Sequence, residues 1–133
     1  MNTFPAKNVS VSIQRSPTDV YNFASNPENL PLWAAGLADS SLKKSGDEWL
    51  TNSPMGQVKV KFAEKNSYGV IDHDVTLPNG EVNHNPLRVV KNAEGSEIIF
   101  TIFRRPRMTE EAFNKDAAAV QKDLQKLKAV LEK

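Results

Sequence analysis

The chain has 133 residues, with 17 Lys and Arg against 16 Asp and Glu, and no cysteine. A chain of this length supports one domain with a real core, burying roughly 65–70% of the surface its unfolded form exposes. Near-balanced charge argues against nucleic acid or an anionic membrane as partner, and the lack of cysteine excludes disulfides, thiolate metal sites and a cysteine nucleophile.

No run approaches the ~20 apolar residues that span a bilayer. The opening "MNTFPAKNVS" has no apolar core region and no cleavage signature. A soluble, cytoplasmic protein without membrane insertion is the expectation. In "NVSVSIQ" (8–14), Val9, Val11 and Ile13 alternate with Ser10, Ser12 and Gln14, which predicts a half-buried strand. Ser16-Pro17 then joins an N-cap residue to a proline at the first helical position, a helix start signal. The helix that follows carries Val20, Phe23 and Ala24 on one side. Asn26-Pro27 repeats the signal, and "NPENLPLWAAG" predicts a second short helix ending at Gly36.

From 37 to 105 the texture changes to short extended runs divided by turn residues. Six strands are predicted: "DSSLKK", "EWLTNS", "QVKVKFAEK", "VIDHDVTL", "EVNHNPLRVV" and "EIIFTIFRR". Links this short cannot make parallel crossovers, so the strands are read as antiparallel neighbours. The segment 109–131 predicts one long helix, with Thr109 as N-cap and Glu110 and Glu111 in the positive first turn. Phe113, Ala117, Val120, Leu124, Leu127 and Leu131 recur at steps of three and four and form one apolar stripe. A coiled-coil partner could use that stripe; the chain's own sheet needs a cover and is the favoured surface.

This order of elements, with "VSVSIQRSPTDVYNFASNPENLPLWAAGL", "GVIDHDVTLPNGEVNHNPLRVV" and "DAAAVQKDLQKLKAVLE", resembles the SRPBCC superfamily. That group includes START-like lipid carriers, pollen-allergen-like proteins and the polyketide cyclase/dehydrase family. The resemblance implies an α+β helix-grip fold over the whole chain, 1–133, as a single domain. A seven-stranded curved antiparallel sheet would wrap around the long C-terminal helix and enclose a mostly apolar cavity, with two short helices after the first strand. The superfamily has no shared catalytic motif, so no catalytic residue carries over, and fold alone does not fix function.

The two histidines of the chain lie in adjoining strands, in "VIDHDVTL" and "EVNHNPLRVV". Between them "L-PNG-E" fits a three-residue loop, with Gly80 in the left-handed bulge position. Leu77 then faces Glu81, His73 faces Asn85, Val75 faces Asn83 and Asp74 faces His84. Ile71, His73, Val75, Leu77, Asn83, Asn85 and Leu87 share one face; Asp72, Asp74, Thr76 and His84 share the other. A two-residue Asn-Gly turn would shift the register by one, but would put Pro78, which has no N–H, in a paired position.

His73 therefore points inward, either as a satisfied core histidine or as a polar anchor in a ligand cavity able to act as a general acid or base. The outer aspartates are read as solvated. Asp72, Asp74 and His84 form a poorly enclosed metal set, so no metal is expected. No Gly-rich phosphate loop, nucleophile elbow or metalloprotease signature occurs, and no cofactor is expected. The candidate ligand-binding set is Trp33, Trp49, Phe62, Ile71, His73, Val75, Asn85 and Leu87, with His73 the one catalytic candidate. Arg88 falls on the outer face, "FRRPRM" (103–108) is a basic loop that could meet an acidic ligand, and Asp116 is a candidate partner for an arginine. The sequence thus supports a carrier or sensor of a small hydrophobic molecule, lipid- or polyketide-like, acting as a monomer or weak dimer. The alternative is an enzyme of the polyketide cyclase/dehydratase type using the same cavity.

Overall fold

A computed structural model of the chain describes residues 2–34, 42–53 and 56–133. Strand β1 (Ala6–Ile13) leads into helix α1 (Pro17–Ala24), where the Ser16 hydroxyl accepts from the Asp19 N–H at 3.1 Å. A single 3-10 turn (Pro27–Asn29) and the short helix α2 (Leu30–Trp33) follow. The predicted end of the second helix at Gly36 lies outside the described residues, as does the first half of "DSSLKK". Then come β2 (Lys43–Ser45), β3 (Glu48–Ser53), β4 (Gly56–Phe62), β5 (His73–Thr76), β6 (Val82–Asn85), β7 (Leu87–Asn92) and β8 (Gly95–Phe103), and finally α3 (Glu110–Leu131).

The strands pair antiparallel as β2-β3-β4-β5-β6 and β1-β8-β7. Among the described residues eight strands stand where seven were expected, because Pro86 divides "EVNHNPLRVV" into β6 and β7. Proline has no N–H to give the ladder and bends the strand there. β6 pairs with β5, and β7 turns to pair with β8. The seam stays closed: the Ile71 N–H donates to Leu87 O at 2.7 Å, the Val89 N–H donates to Gly69 O at 2.9 Å, and Val70 bridges Arg88. The two sheets are therefore one curved surface with a proline bend in its sixth strand.

Asp72 secures that bend from outside. Its carboxylate accepts the Leu87 N–H at 2.9 Å, Arg88 Nε at 2.9 Å and Arg88 Nη2 at 2.8 Å. Asp72 is thus not the solvated residue that its alternation suggested, and Arg88 finds its partner on the outer face. The Arg88 hydrogen bond holds the Asp72 carboxyl below its ordinary value, with the Leu87 N–H adding to the effect. Since the folded value lies below the unfolded one, the contribution is complete above about pH 4 and fades as pH falls through the folded value. Asp72→Ala strands the Leu87 N–H and should cost about 1–3 kcal/mol at pH 7. Denaturant titrations should show the gap between variant and parent narrowing in acid; a gap constant with pH would contradict this account.

Helix α3 starts where the Thr109 hydroxyl accepts the Ala112 N–H at 3.0 Å. It runs along β1. Lys7 is hydrogen-bonded to Asn114 near one end; at the other, Lys128 Nζ donates to Ser12 O at 2.8 Å and Arg15 Nη1 to Leu131 O at 2.6 Å. Its buried side is Phe113, Leu124, Leu127 and Leu131, joined in one core with Val9, Val11 and Ile13 of β1, Leu87 and Val89 of β7, and Ile98 and Ile102 of β8. The apolar stripe thus packs on the chain's own sheet. Tyr21 and Val20 of α1 and Leu30 and Trp33 of α2 close the same core from the side.

Candidate functional site

The hairpin between β5 and β6 sets the site's geometry. The Gly80 N–H donates to Leu77 O at 2.9 Å, the Leu77 N–H donates to Glu81 O at 2.8 Å, and Gly80 holds φ +89°. The register is His73 opposite Asn85, Asp74 opposite His84 and Val75 opposite Asn83, as the three-residue loop requires. Asp74 and His84 meet on the outer face at 2.6 Å, both about half exposed.

On the inner face, sheet and helix do not fill the space between them. A cavity of about 260 Å³ remains. Its sheet wall is Phe62 of β4, His73 and Val75 of β5, Asn83 and Asn85 of β6, Leu87 of β7, and Phe100 and Ile102 of β8; Leu30, Trp33 and Ala34 close one side. Val120 and Leu124 of α3 form the roof, and Arg105, Asp116 and the half-buried Asp123 lie among the lining residues, with Asp116 and Ala119 on the exposed side of α3. Six of the expected residues, Trp33, Phe62, His73, Val75, Asn85 and Leu87, are thus brought together. Ile71 is 2% exposed but sits in the core beyond the lining. Trp49 pairs with Val60 on β3, two strands away from His73, and lies outside the lining too. Phe100, Asn83, Arg105 and Asp116 were not in the expected set. The alternation of Ile98, Phe100 and Ile102 carried a signal for the first, and the hairpin register one for Asn83; Arg105 and Asp116 depend on tertiary placement.

His73 is 5% exposed, its ring 5.3 Å from that of Phe62 and 5.8 Å edge-on to that of Phe100. Its Nδ1 lies 3.1 Å from Ile71 O. A carbonyl only accepts, so Nδ1 carries the proton and Nε2 presents a lone pair. Burial pushes the pKa below 6.5, partly opposed by the bond to Ile71 and by Asp72. The ring is neutral at pH 7. Among the described residues, two further polar atoms of the lining have no hydrogen-bond partner, the indole Nε1 of Trp33 and the amide Oδ1 of Asn83. Burial raises the Asp116 carboxyl and lowers the Arg105 guanidinium, while the charge of each partly restores the other. Among the described residues no three His, Asp or Glu come close enough to hold a metal ion, and the Asp72 carboxylate is engaged by Leu87 and Arg88.

A long helix held by a curved antiparallel sheet, with an apolar cavity between them, defines a helix-grip protein. The chain belongs to the polyketide cyclase/dehydrase and lipid transport family, whose profile matches residues 7–132, and so to the SRPBCC superfamily. Among curated proteins, none matches the chain. Solved structures share the fold at low identity. An uncharacterised protein from Bacillus thuringiensis is 16% identical over 97% of this chain and all of its own (100%), with a TM-score of 0.77. The Aha1 dimer from Colwellia psychrerythraea is 14% identical over 96% of each chain, with a TM-score of 0.75. DynU16, a protein of the dynemicin biosynthetic locus, is 14% identical over 96% of this chain but 47% of its own, with a TM-score of 0.73. No helix of the described residues is long and apolar enough to cross a membrane.

Proposed function

We propose that this protein binds a small hydrophobic molecule, lipid- or polyketide-like, in the cavity between sheet and helix, as a carrier or sensor. The observation that carries the reading is the cavity itself: about 260 Å³, walled mostly by aliphatic and aromatic side chains, with a few inward polar groups. Small-molecule sites have this composition. The family's description, which names both polyketide chemistry and lipid transport, supports it. The match over 7–132 supports a single domain. Leu124 and Leu127, both 0% exposed, occupy the helix stripe internally, which favours a monomer or weak dimer.

Ala119 lines the cavity from the exposed side of α3, so a larger side chain there intrudes on the ligand rather than on the core. Ala119→Trp should weaken binding of a small one-ring compound by at least about tenfold through direct clash while leaving thermal unfolding close to the parent's. Calorimetric titration of both proteins checks this; undiminished binding by the variant counts against the cavity as the site.

One observation favours a second reading, an enzyme of the cyclase or dehydratase type. His73 combines a fixed Nδ1–H with a lone pair on Nε2 in a lining otherwise mostly apolar, the arrangement of a weak general base.

A further inference from the structure

Resting on the cavity reading above, we infer that the ligand is an uncharged one-ring molecule bearing a hydroxyl and a carbonyl, oriented at the hydroxyl by Asn83 or His73 and at the carbonyl by Trp33. Size comes first. About 260 Å³ lies just below the roughly 300–1,000 Å³ of pockets that hold drug-sized ligands. One ring with short substituents fits inside; a longer ligand would emerge on the open side beside Ala119 and Asp116.

Polarity comes second. Trp33 is 4% exposed, and its indole nitrogen can only donate, yet it has no partner among the described residues. Asn83 Oδ1 is buried without a partner among the described residues and can only accept. His73, with its proton fixed on Nδ1 by Ile71 O, offers a second acceptor at Nε2. Asn83 and His73 stand on neighbouring strands of the sheet, His73 facing Asn85 and Asn83 facing Val75, while Trp33 approaches from α2. A ligand lying between them meets two acceptors from the sheet and one donor from the helix. A hydroxyl donates its single proton to one of the two acceptors, Asn83 Oδ1 or His73 Nε2, and a carbonyl accepts from Trp33. Charge comes third. Arg105 and Asp116 are coupled to each other, and Asp116 sits on the exposed side of α3. With Asp123, the cavity border carries two carboxyl groups against one guanidinium, so an uncharged ligand is favoured over a carboxylate.

Sites built around a hydrogen bond reject analogues that lack it, because their own polar atoms are then left unpaired. The test uses 4-hydroxyacetophenone and p-cymene, which have the same skeleton, a methyl replacing the hydroxyl and an isopropyl replacing the acetyl. Both are titrated into methyl-labelled protein and followed by NMR at Val75, Leu87, Val120 and Leu124. The hydroxy-ketone should bind at least about tenfold more tightly, on the order of one hydrogen bond or more. That preference should shrink to within about threefold in Trp33→Phe, and, should that variant fold poorly, in Asn83→Leu. If p-cymene binds as tightly in the parent, the inferred ligand chemistry is wrong while the cavity reading stands. If neither compound moves these methyls at millimolar concentration, both are overturned.

Discussion

Leu124→Ala is expected to lower the unfolding free energy by about 2–5 kcal/mol. Leu124 is 0% exposed, packs in the core formed by β1, β7, β8 and α3, and also borders the cavity. Truncation removes apolar contact and enlarges a space that is already incompletely filled, so neighbouring side chains have little reason to collapse inward. The melting temperature should fall by about 10 °C or more for a chain of this size. Denaturant melts of parent and variant measure the loss. A change under about 0.5 kcal/mol, the range of ordinary surface substitutions, would mean that the helix does not rest on the sheet through this stripe.

His73→Gln separates the two functional readings and has its own pH signature. Burial depresses the His73 pKa below 6.5. Below about pH 6.5 the unfolded chain takes up a proton that the folded ring resists, so stability is lost as pH falls from 6.5 towards the folded value. The glutamine variant lacks that loss, and its stability should be flatter between pH 6.5 and pH 5. Parallel curves would show His73 to be more freely solvated than its burial implies. Glutamine keeps hydrogen-bonding capacity but cannot exchange protons near neutrality. For a carrier, the variant should bind 4-hydroxyacetophenone within about tenfold of the parent. For an enzyme, binding should survive while turnover of its substrate falls by about a hundredfold or more.

Much of this site was legible because it rests on one hairpin. "LPNG" dictated the loop, the loop dictated the register, and the register put His73, Val75, Asn83 and Asn85 on one face. The stripe of α3 was legible for the same kind of reason, a period written in a single segment. Depth was not legible. Ile71 and Val75 alternate identically along the chain, yet only Val75 reaches the cavity, while Ile71 is packed into the core with Leu87 and the leucines of α3. Trp49 has the size of a cavity residue but sits two strands too far along the sheet. Arg105 and Asp116 meet only when the basic loop and the helix are placed together. Pro86 was visible, and its consequence could have been drawn: a proline inside a strand run marks a bend or an edge. The role of Asp72 follows from that bend, since the Leu87 N–H beyond it needs an acceptor.

The central claim is that sheet and helix leave an apolar space able to take a small molecule. Pressurising a crystal of the parent protein with xenon tests it most directly, since apolar cavities of this kind admit the gas. The account predicts ordered xenon among Phe62, Val75, Phe100 and Leu124. Density showing those side chains packed against one another, with xenon absent or bound only at the surface near the exposed Leu32 or Val82, would contradict it.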